Sequence, residues 1–310
     1  MDLRDLDHFL SAVRAGSLSR AAAELGLTQP ALSKSLRRLE IELGVPLLER
    51  GRFGVNPTRY GDALAARSNR IRAELAAVPR DIAQLRDDRD GVVVLGCGPT
   101  EATRLLPLAM QGLMQTNPGI RLSVLYGLNE TLMPLVRQGE IEFAVSSVPS
   151  SASDPLLAHE ALLTESAVVV AASDHPLAGR RVVRAQELLP YPWCLARRNE
   201  LERRAFDDLF LDNGLKPPDA RIETTSTVLM KSVLMMSDFL TFLPRELIHW
   251  EARQGMLTAL PVHGLGWTRR MGITRRATGT LTPIADSVID AMRHAAATLS
   301  APLRTPRRRG

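Results

Sequence analysis

The sequence predicts a chain in three parts: an N-terminal all-α winged helix-turn-helix over residues 1–58, a linker helix over 59–89 and a C-terminal α/β domain over 90–300. Three observations predict it. Short helical periodicities broken by glycines fill the first part, and a narrow apolar stripe runs along the second. From Val92 onward, β-branched runs alternate with helical patterns. At 310 residues the chain exceeds the ~100–200 of one ordinary domain. Its 45% hydrophobic and 24% charged residues suit a folded protein rather than a disordered one.

Leu6, Phe9, Leu10 and Val13 recur at helical spacing and mark a first helix that stops at Gly16. Ser17 caps a second, whose stripe is Leu18, Ala21, Ala22 and Leu25 before Gly26. Thr28 caps a third, with Gln29 and Pro30 in a first turn that tolerates proline. Leu32, Leu36, Leu39 and Leu43 then face inward, which leaves Pro30, Ser33, Lys34 and Arg37 on the flank or outer face. Leu47–Arg50 and Val55–Pro57 flank Gly51-Arg52-Phe53-Gly54 as a two-stranded hairpin, the wing. Gln29, Ser33, Lys34, Arg37, Arg50 and Arg52 suit hydrogen bonding to base edges and phosphates; the bland alternative is a small helical module with a merely solvated face.

Thr58 caps the long helix, expected to run to about Arg89. Its stripe is Leu64, Ile71, Leu75, Val78, Ile82 and Leu85, spaced four, three, four, three from Ile71, the period of a helix packed on another helix. The stripe is too narrow for a core helix and too apolar for water, so it predicts self-association. Pro79 predicts a kink or break there.

The candidate strands beyond are 92–95, 120–125, 141–145, 167–171, 221–224 and 239–243, with helices around 101–115, 129–138, 200–213 and 281–299. Such alternation predicts a largely parallel sheet. Gly96-Cys97-Gly98-Pro99-Thr100-Glu101 approaches a dinucleotide fingerprint but has Glu where the third glycine belongs, so no cofactor is expected. It reads better as a tight strand-to-helix turn exposing Thr100. Asn129 opens a helix, either as a plain cap or as part of an anion site; Ser146 and Ser147 end a strand, as donors or as ordinary turn residues. Arg197 and Arg198 precede a helix start where Asn199 and Glu202 have capping-box spacing; they suit a carboxylate or form a solvated loop. Thr225, Ser226 and Thr227 open a further helix.

The run Phe9…Gly16-Ser17…Ala21-Ala22…Leu25…Gln29-Pro30-Ala31-Leu32-Ser33…Leu39-Glu40…Leu43-Gly44…Leu47-Leu48-Glu49-Arg50…Thr58…Gly61 resembles the DNA-binding signature of LysR-type transcriptional regulators. The match is dense over residues 1–65 and looser beyond. The resemblance implies a recognition helix in the major groove of promoter DNA, with Gln29, Pro30, Ser33, Lys34 and Arg37 in contact, and Arg50 and Arg52 of the wing near the minor groove. It implies that the α/β domain has two lobes resembling periplasmic binding proteins, that Thr100 and the polar corner at Thr225 face an effector, and that the chain forms a homodimer or homotetramer. Thr100, Asn129, Ser146, Arg197 and Thr225 are then the candidate effector contacts, and an organic acid is the expected ligand. RNA polymerase is a further partner such a regulator addresses. The alternatives are an effector-independent repressor or architectural DNA binder and, more remotely, an enzyme with a helix-turn-helix head.

No GxSxG, HExxH or Walker motif occurs, and Cys97, Cys194 and the six histidines are scattered, so neither catalysis nor a metal site is expected. Cys97 and Cys194 form a redox switch only if their thiols are acidic. The acidic N-terminus lacks a targeting segment and no apolar span is long enough for a bilayer, so a cytoplasmic protein is expected, with no membrane partner. Arg304, Arg307, Arg308 and Arg309 supply most of the net charge of +5, and the basic tail 301–310 is expected to be disordered.

Overall fold

Capping chemistry starts the first three helices. Asp2 accepts the Asp5 amide ahead of α1 (Leu3–Ala15), Ser17 that of Arg20 ahead of α2 (Leu18–Glu24), and Thr28 that of Ala31 ahead of α3 (Gln29–Leu43). The Ser17 and Thr28 caps are those read from the sequence. Phe9, Ala12, Ala21, Leu32, Leu36 and Leu39 close a core with Leu47 and Val55 of the wing, β1 (Leu48–Gly51) and β2 (Gly54–Pro57). The wing is pinned to the helices: the Val55 amide donates to Gly16 O (2.9 Å), and a Cβ on Gly54, at φ 119°, would stand 2.3 Å from that same oxygen.

The structure, a computed structural model, describes residues 1–51, 54–85, 92–149 and 154–300. Arg52, the stretch 86–89 and the tail 301–310 therefore lie outside the described residues, as do the side chains of Arg50, Ile82 and Leu85. α4 (Arg59–Leu85) follows Thr58, whose hydroxyl donates to Pro46 O (2.7 Å) and accepts the Gly61 amide (3.1 Å). The helix is not broken at Pro79: losing one N–H donor weakens a helix without ending it.

The second compact unit lies within Ala83–Gly310. In chain order it contains β3 (Val92–Cys97), α5 (Pro99–Thr103), α6 (Leu105–Thr116), β4 (Arg121–Tyr126), α7 (Asn129–Gln138), β5 (Phe143–Ser147) and β6 (Leu157–Ala172). Then come β7 (Trp193–Leu195), α8 (Leu201–Asp212), β8 (Ala220–Glu223), α9 (Thr227–Met235), β9 (Thr241–Pro244), α10 (His249–Arg253), β10 (Leu257–Ala259), β11 (Trp267–Arg276) and α11 (Pro283–Ser300). A seven-stranded sheet runs β10-β6-β11-β5-β3-β4, with β9 also on β6.

The sheet is not the largely parallel one that the sequence predicts. Only β3–β4, β3–β5 and the separate pair β7–β8 are parallel among the described strands; β6 and β11 run antiparallel to every neighbour they have. These two long strands belong to two cores. At one end Leu162, Leu163 and Ile273 pack with Leu95, Phe143, Val288 and Met292; at the other, Ala167, Val169 and Trp267 pack with Trp193, Phe206, Phe210 and Phe242. The unit thus has two lobes strung on shared strands.

Leu32, fully buried among the three N-terminal helices, is an inward residue of α3 one position from Ser33 on the helix flank. Leu32→Ala is expected to destabilise the N-terminal unit by ~2–5 kcal/mol, against less than ~0.5 kcal/mol for Gln29→Ala on the exposed side. Urea denaturation followed by circular dichroism measures both.

Candidate functional sites on the helix-turn-helix and in the interlobe cleft

The outer face of α3 divides into side chains bound to the fold and side chains left over. Asp5 is buried and receives Arg38, and also the Ser35 hydroxyl (3.0 Å), which in turn meets His8 Nδ1 (2.8 Å). Burial alone would raise the Asp5 pKa, but the Arg38 and Ser35 hydrogen bonds outweigh it and hold the carboxyl below its ordinary range. Glu40 accepts the amides of Leu47 (2.8 Å) and Leu48 (3.2 Å), so it anchors the start of the wing. Gln29, Pro30, Lys34 and Arg37 are exposed, and Ser33 is half-buried. Gln29 Nε2 donates to Ser33 Oγ (3.2 Å), a weak neutral contact that leaves both groups able to meet another partner. Lys34 and Arg37 have no ion-pair partner among the described residues.

On α4, Leu64 is half-buried against the N-terminal core, so it serves that core first. Ile71, Leu75 and Val78 are 41%, 47% and 46% exposed, an apolar row open to solvent along the helix.

In the second unit, two cavities share Pro99, Leu128, Glu200, Glu202 and Arg269, and so form one cleft. One, of about 70 Å³, lies over Gly98, Glu101, Asn129 and Ser146; the other, of about 60 Å³, lies beside Thr100, Thr225, Thr227 and Met230. The structure thus brings Thr100, Asn129, Ser146 and Thr225 to one cleft. Arg197 is exposed and lines neither cavity, while Arg198 pairs with Asp219 at 3.0 Å on the surface. Asn129 is held by the end of β5, donating to Ser147 O (2.8 Å) and Ser147 Oγ (3.1 Å).

The cleft is organised by residues the sequence did not single out. Arg269 stands directly opposite Glu165 in the β11–β6 ladder, and its guanidinium also meets Glu202 and lies 3.4 Å from Thr100 Oγ1. Burial works against its charge, but Glu165 and then Glu202 more than offset this and hold its pKa above the ordinary arginine value. Glu202 does not form the capping box expected with Asn199: the residue before α8 is Glu200, one position later, and it makes no side-chain cap. Glu101 is 3% exposed, and no side-chain donor among the described residues reaches either carboxylate oxygen; Ser146 Oγ, in the same cavity, is likewise unpartnered. Each such buried group costs ~1–3 kcal/mol until something pairs with it. Burial, with Glu165 nearby, pushes the Glu101 carboxyl up to about 8. Burial and then Glu130 and Glu202 raise Glu200 as well.

The two cysteines are buried in different clusters. Burial, and for Cys97 the charge of Glu101, raises both thiols, that of Cys194 to about 11, so neither is a thiolate at neutral pH and the redox reading has no support. Among the described residues no helix is long and apolar enough to cross a membrane.

Two family descriptions match the chain: "Bacterial regulatory helix-turn-helix protein, lysR family" over residues 3–62 and "LysR substrate binding domain" over 86–297. The Escherichia coli (strain K12) protein YdcI, an uncharacterized HTH-type transcriptional regulator, is 30% identical over 291 residues, covering 94% of each chain. GbpR of Azospirillum brasilense is 29% identical over 299 residues, 96% of this chain and 87% of that one. Among solved structures, full-length CbnR in complex with its target DNA superimposes with a TM-score of 0.53 at 20% identity, over 96% of this chain and 100% of that one. That likeness concerns the fold.

The protonation of Glu101 has a measurable consequence. Its folded pKa, about 8, lies above the ordinary carboxylate value of about 4.3, so the folded state holds the extra proton between these values and stability falls as pH rises through them. Glu101→Gln removes that loss. Between pH 6 and 8.5 the melting temperature of the wild type should drop relative to the variant, by about 2–4 °C per kcal/mol. Parallel curves would mean that the carboxyl titrates in its ordinary range.

Proposed function

This chain belongs to the LysR family of bacterial transcriptional regulators, and on that premise we propose that residues 1–58 read promoter DNA, 59–89 pair two chains, and 90–300 sense a small molecule in the interlobe cleft. Regulators of this family bind promoter DNA and small-molecule effectors and form oligomers. The observation that carries the DNA reading is the division of labour on α3. Arg38, Ser35 and Glu40 are used up within the domain, while Gln29, Lys34 and Arg37 are left outward, together with Ser33 at the helix flank. Gln29 and Ser33 suit base edges, Lys34 and Arg37 suit phosphates, and Arg50 and Arg52 of the wing sequence add two more cations for the backbone.

Control by a ligand, rather than constitutive binding, is favoured by the cleft itself: unpartnered buried polar atoms are costly unless a ligand pairs with them. Thr100, Asn129, Ser146 and Thr225 are its uncharged polar contacts. An organic acid is a weaker fit than the sequence leads one to expect, because Arg197 does not line the cleft and Arg269 is already committed to two carboxylates. An effector that prefers one arrangement of the assembled chains shifts the population of dimers or tetramers toward it, and so changes contact with promoter DNA or RNA polymerase.

Two measurements test the scheme. Lys34→Ala and Arg37→Ala should each weaken binding to operator fragments of any sequence and shallow the salt dependence by ~0.9 for each phosphate no longer neutralised, whereas Gln29→Ala should relax sequence preference by ~1–3 kcal/mol at one base pair. Salt slopes equal to wild type in both lysine and arginine variants would remove α3 from the DNA. For assembly, Ile71→Asp places a charge in the exposed apolar row of α4 and should convert the native oligomer to smaller species in sedimentation velocity. An unchanged sedimentation coefficient would sink the linker-helix interface.

A further inference from the structure

We propose that the cavity over Glu101 recognises a protonated amine, so that the effector presents an ammonium group there as its charged end. The inference rests on the reading of the cleft as the effector site and deepens it. Three acceptor atoms in this one cavity, Glu101 Oε1, Glu101 Oε2 and Ser146 Oγ, are buried and unpartnered. A primary ammonium carries three N–H donors and no acceptor, which matches that set in number and in kind. Gly98 makes the arrangement possible, since a Cβ there would lie 2.5 Å from Glu101 Oε2.

Charge selects the same chemistry. Glu130, Glu200 and Glu202 line this cavity besides Glu101, and Arg269 is the one cation among the described lining residues. Arg269 has spent its guanidinium on Glu165 and Glu202. The amino ends of α7 and α8, which would otherwise attract an anion, each carry a glutamate in the first turn, Glu130 and Glu202, that offsets the helix dipole. A carboxylate entering here would meet its own kind. A divalent cation fares no better, because no three metal-ligating side chains converge among the described residues.

Glu101 is faced by Glu165 of β6, Arg269 of β11, Glu200 and Glu202 at the start of α8, Glu130 of α7 and Cys97 of β3, and burial keeps its proton on at neutral pH. An ammonium group seated on Glu101 favours the carboxylate, so binding at pH 7 releases a proton and tightens as pH rises toward 8.

The test uses the full-length chain and three probes of matched size, n-propylamine, n-propanol and propionate, at millimolar concentration and constant ionic strength. Thermal shift and calorimetry in two buffers of different ionisation enthalpy are read. n-Propylamine should raise the melting temperature saturably and release a proton, while propanol and propionate should act at least tenfold more weakly. Glu101→Gln, an isostere of the protonated side chain, should weaken n-propylamine by tenfold or more and abolish proton release; Ser146→Ala should weaken it several-fold. Propionate binding as well as n-propylamine, no response to the amine at tens of millimolar, or an undiminished response in Glu101→Gln each overturns the proposal. The cleft as effector site is judged separately. It falls if a native effector acts at an unchanged concentration on a chain in which Ser146 and Thr225 are replaced together, and it stands if an acid proves to be what the cleft binds.

Discussion

The ion pair between Arg269 and Glu165 is the constraint around which the second unit is arranged. It joins β11 to β6 in register where the two shared strands pass from one core to the other, and Glu202 brings the start of α8 onto the same guanidinium. Breaking one partner of such a buried pair is costly because it strands the other charge in a medium that solvates it poorly. The register itself is steadied nearby: the ladder shifts between Met271 and Gly272, where a Cβ would stand 1.9 Å from Glu160 O. A bulge there re-aims the strand immediately beyond the pair.

The commitment of Arg269 sets the electrostatics of everything around it. With its cation neutralised twice over, the cleft keeps an excess of acidic groups, and the one set deepest, Glu101, has no side-chain donor among the described residues. Its response is to hold a proton that an exposed glutamate would lose. A similar economy appears elsewhere in the unit, where buried Arg203 meets Asp207 at 2.9 Å and Glu223 at 3.5 Å and so ties α8 to β8. Charges that hold the fold together are paired; the cleft differs in keeping a buried carboxyl that stays neutral instead of pairing with a cation.

The N-terminal unit follows the same logic with the opposite result. Asp5 captures Arg38 and Ser35, and Glu40 captures the first amides of the wing, so the polar residues nearest the core orient α3 and β1. Gln29, Lys34 and Arg37, which remain outward, are amide-bearing or basic, which suits a polyanion whose base edges offer acceptors and donors. Adjacent arginines, Arg37 and Arg38, thus take different parts because they lie about 100° apart on the helix.

Local chemistry determined the helix-turn-helix, since caps, glycine stops and a leucine repeat act over a few residues: Ser17, Thr28, Gly16, Gly44 and the stripe from Leu32 to Leu39 are legible without knowing what they pack against. The strand-to-helix turns bearing Thr100, Asn129 and Thr225 were legible for the same reason. What the tertiary structure decided is which distant residues meet them. β11 is a strand whose alternating Trp267, Arg269 and Met271 signal no site, and nothing local says that Arg269 will face Glu165, 104 residues away, or Glu202, 67 away. The same holds for the antiparallel course of β6 and for Glu202, which reads as half of a capping box until a guanidinium claims it. Caps and periodicity are near-neighbour effects, whereas the charge of a cleft is a sum over groups that only the folded chain brings within a few ångströms, where low dielectric makes each one count.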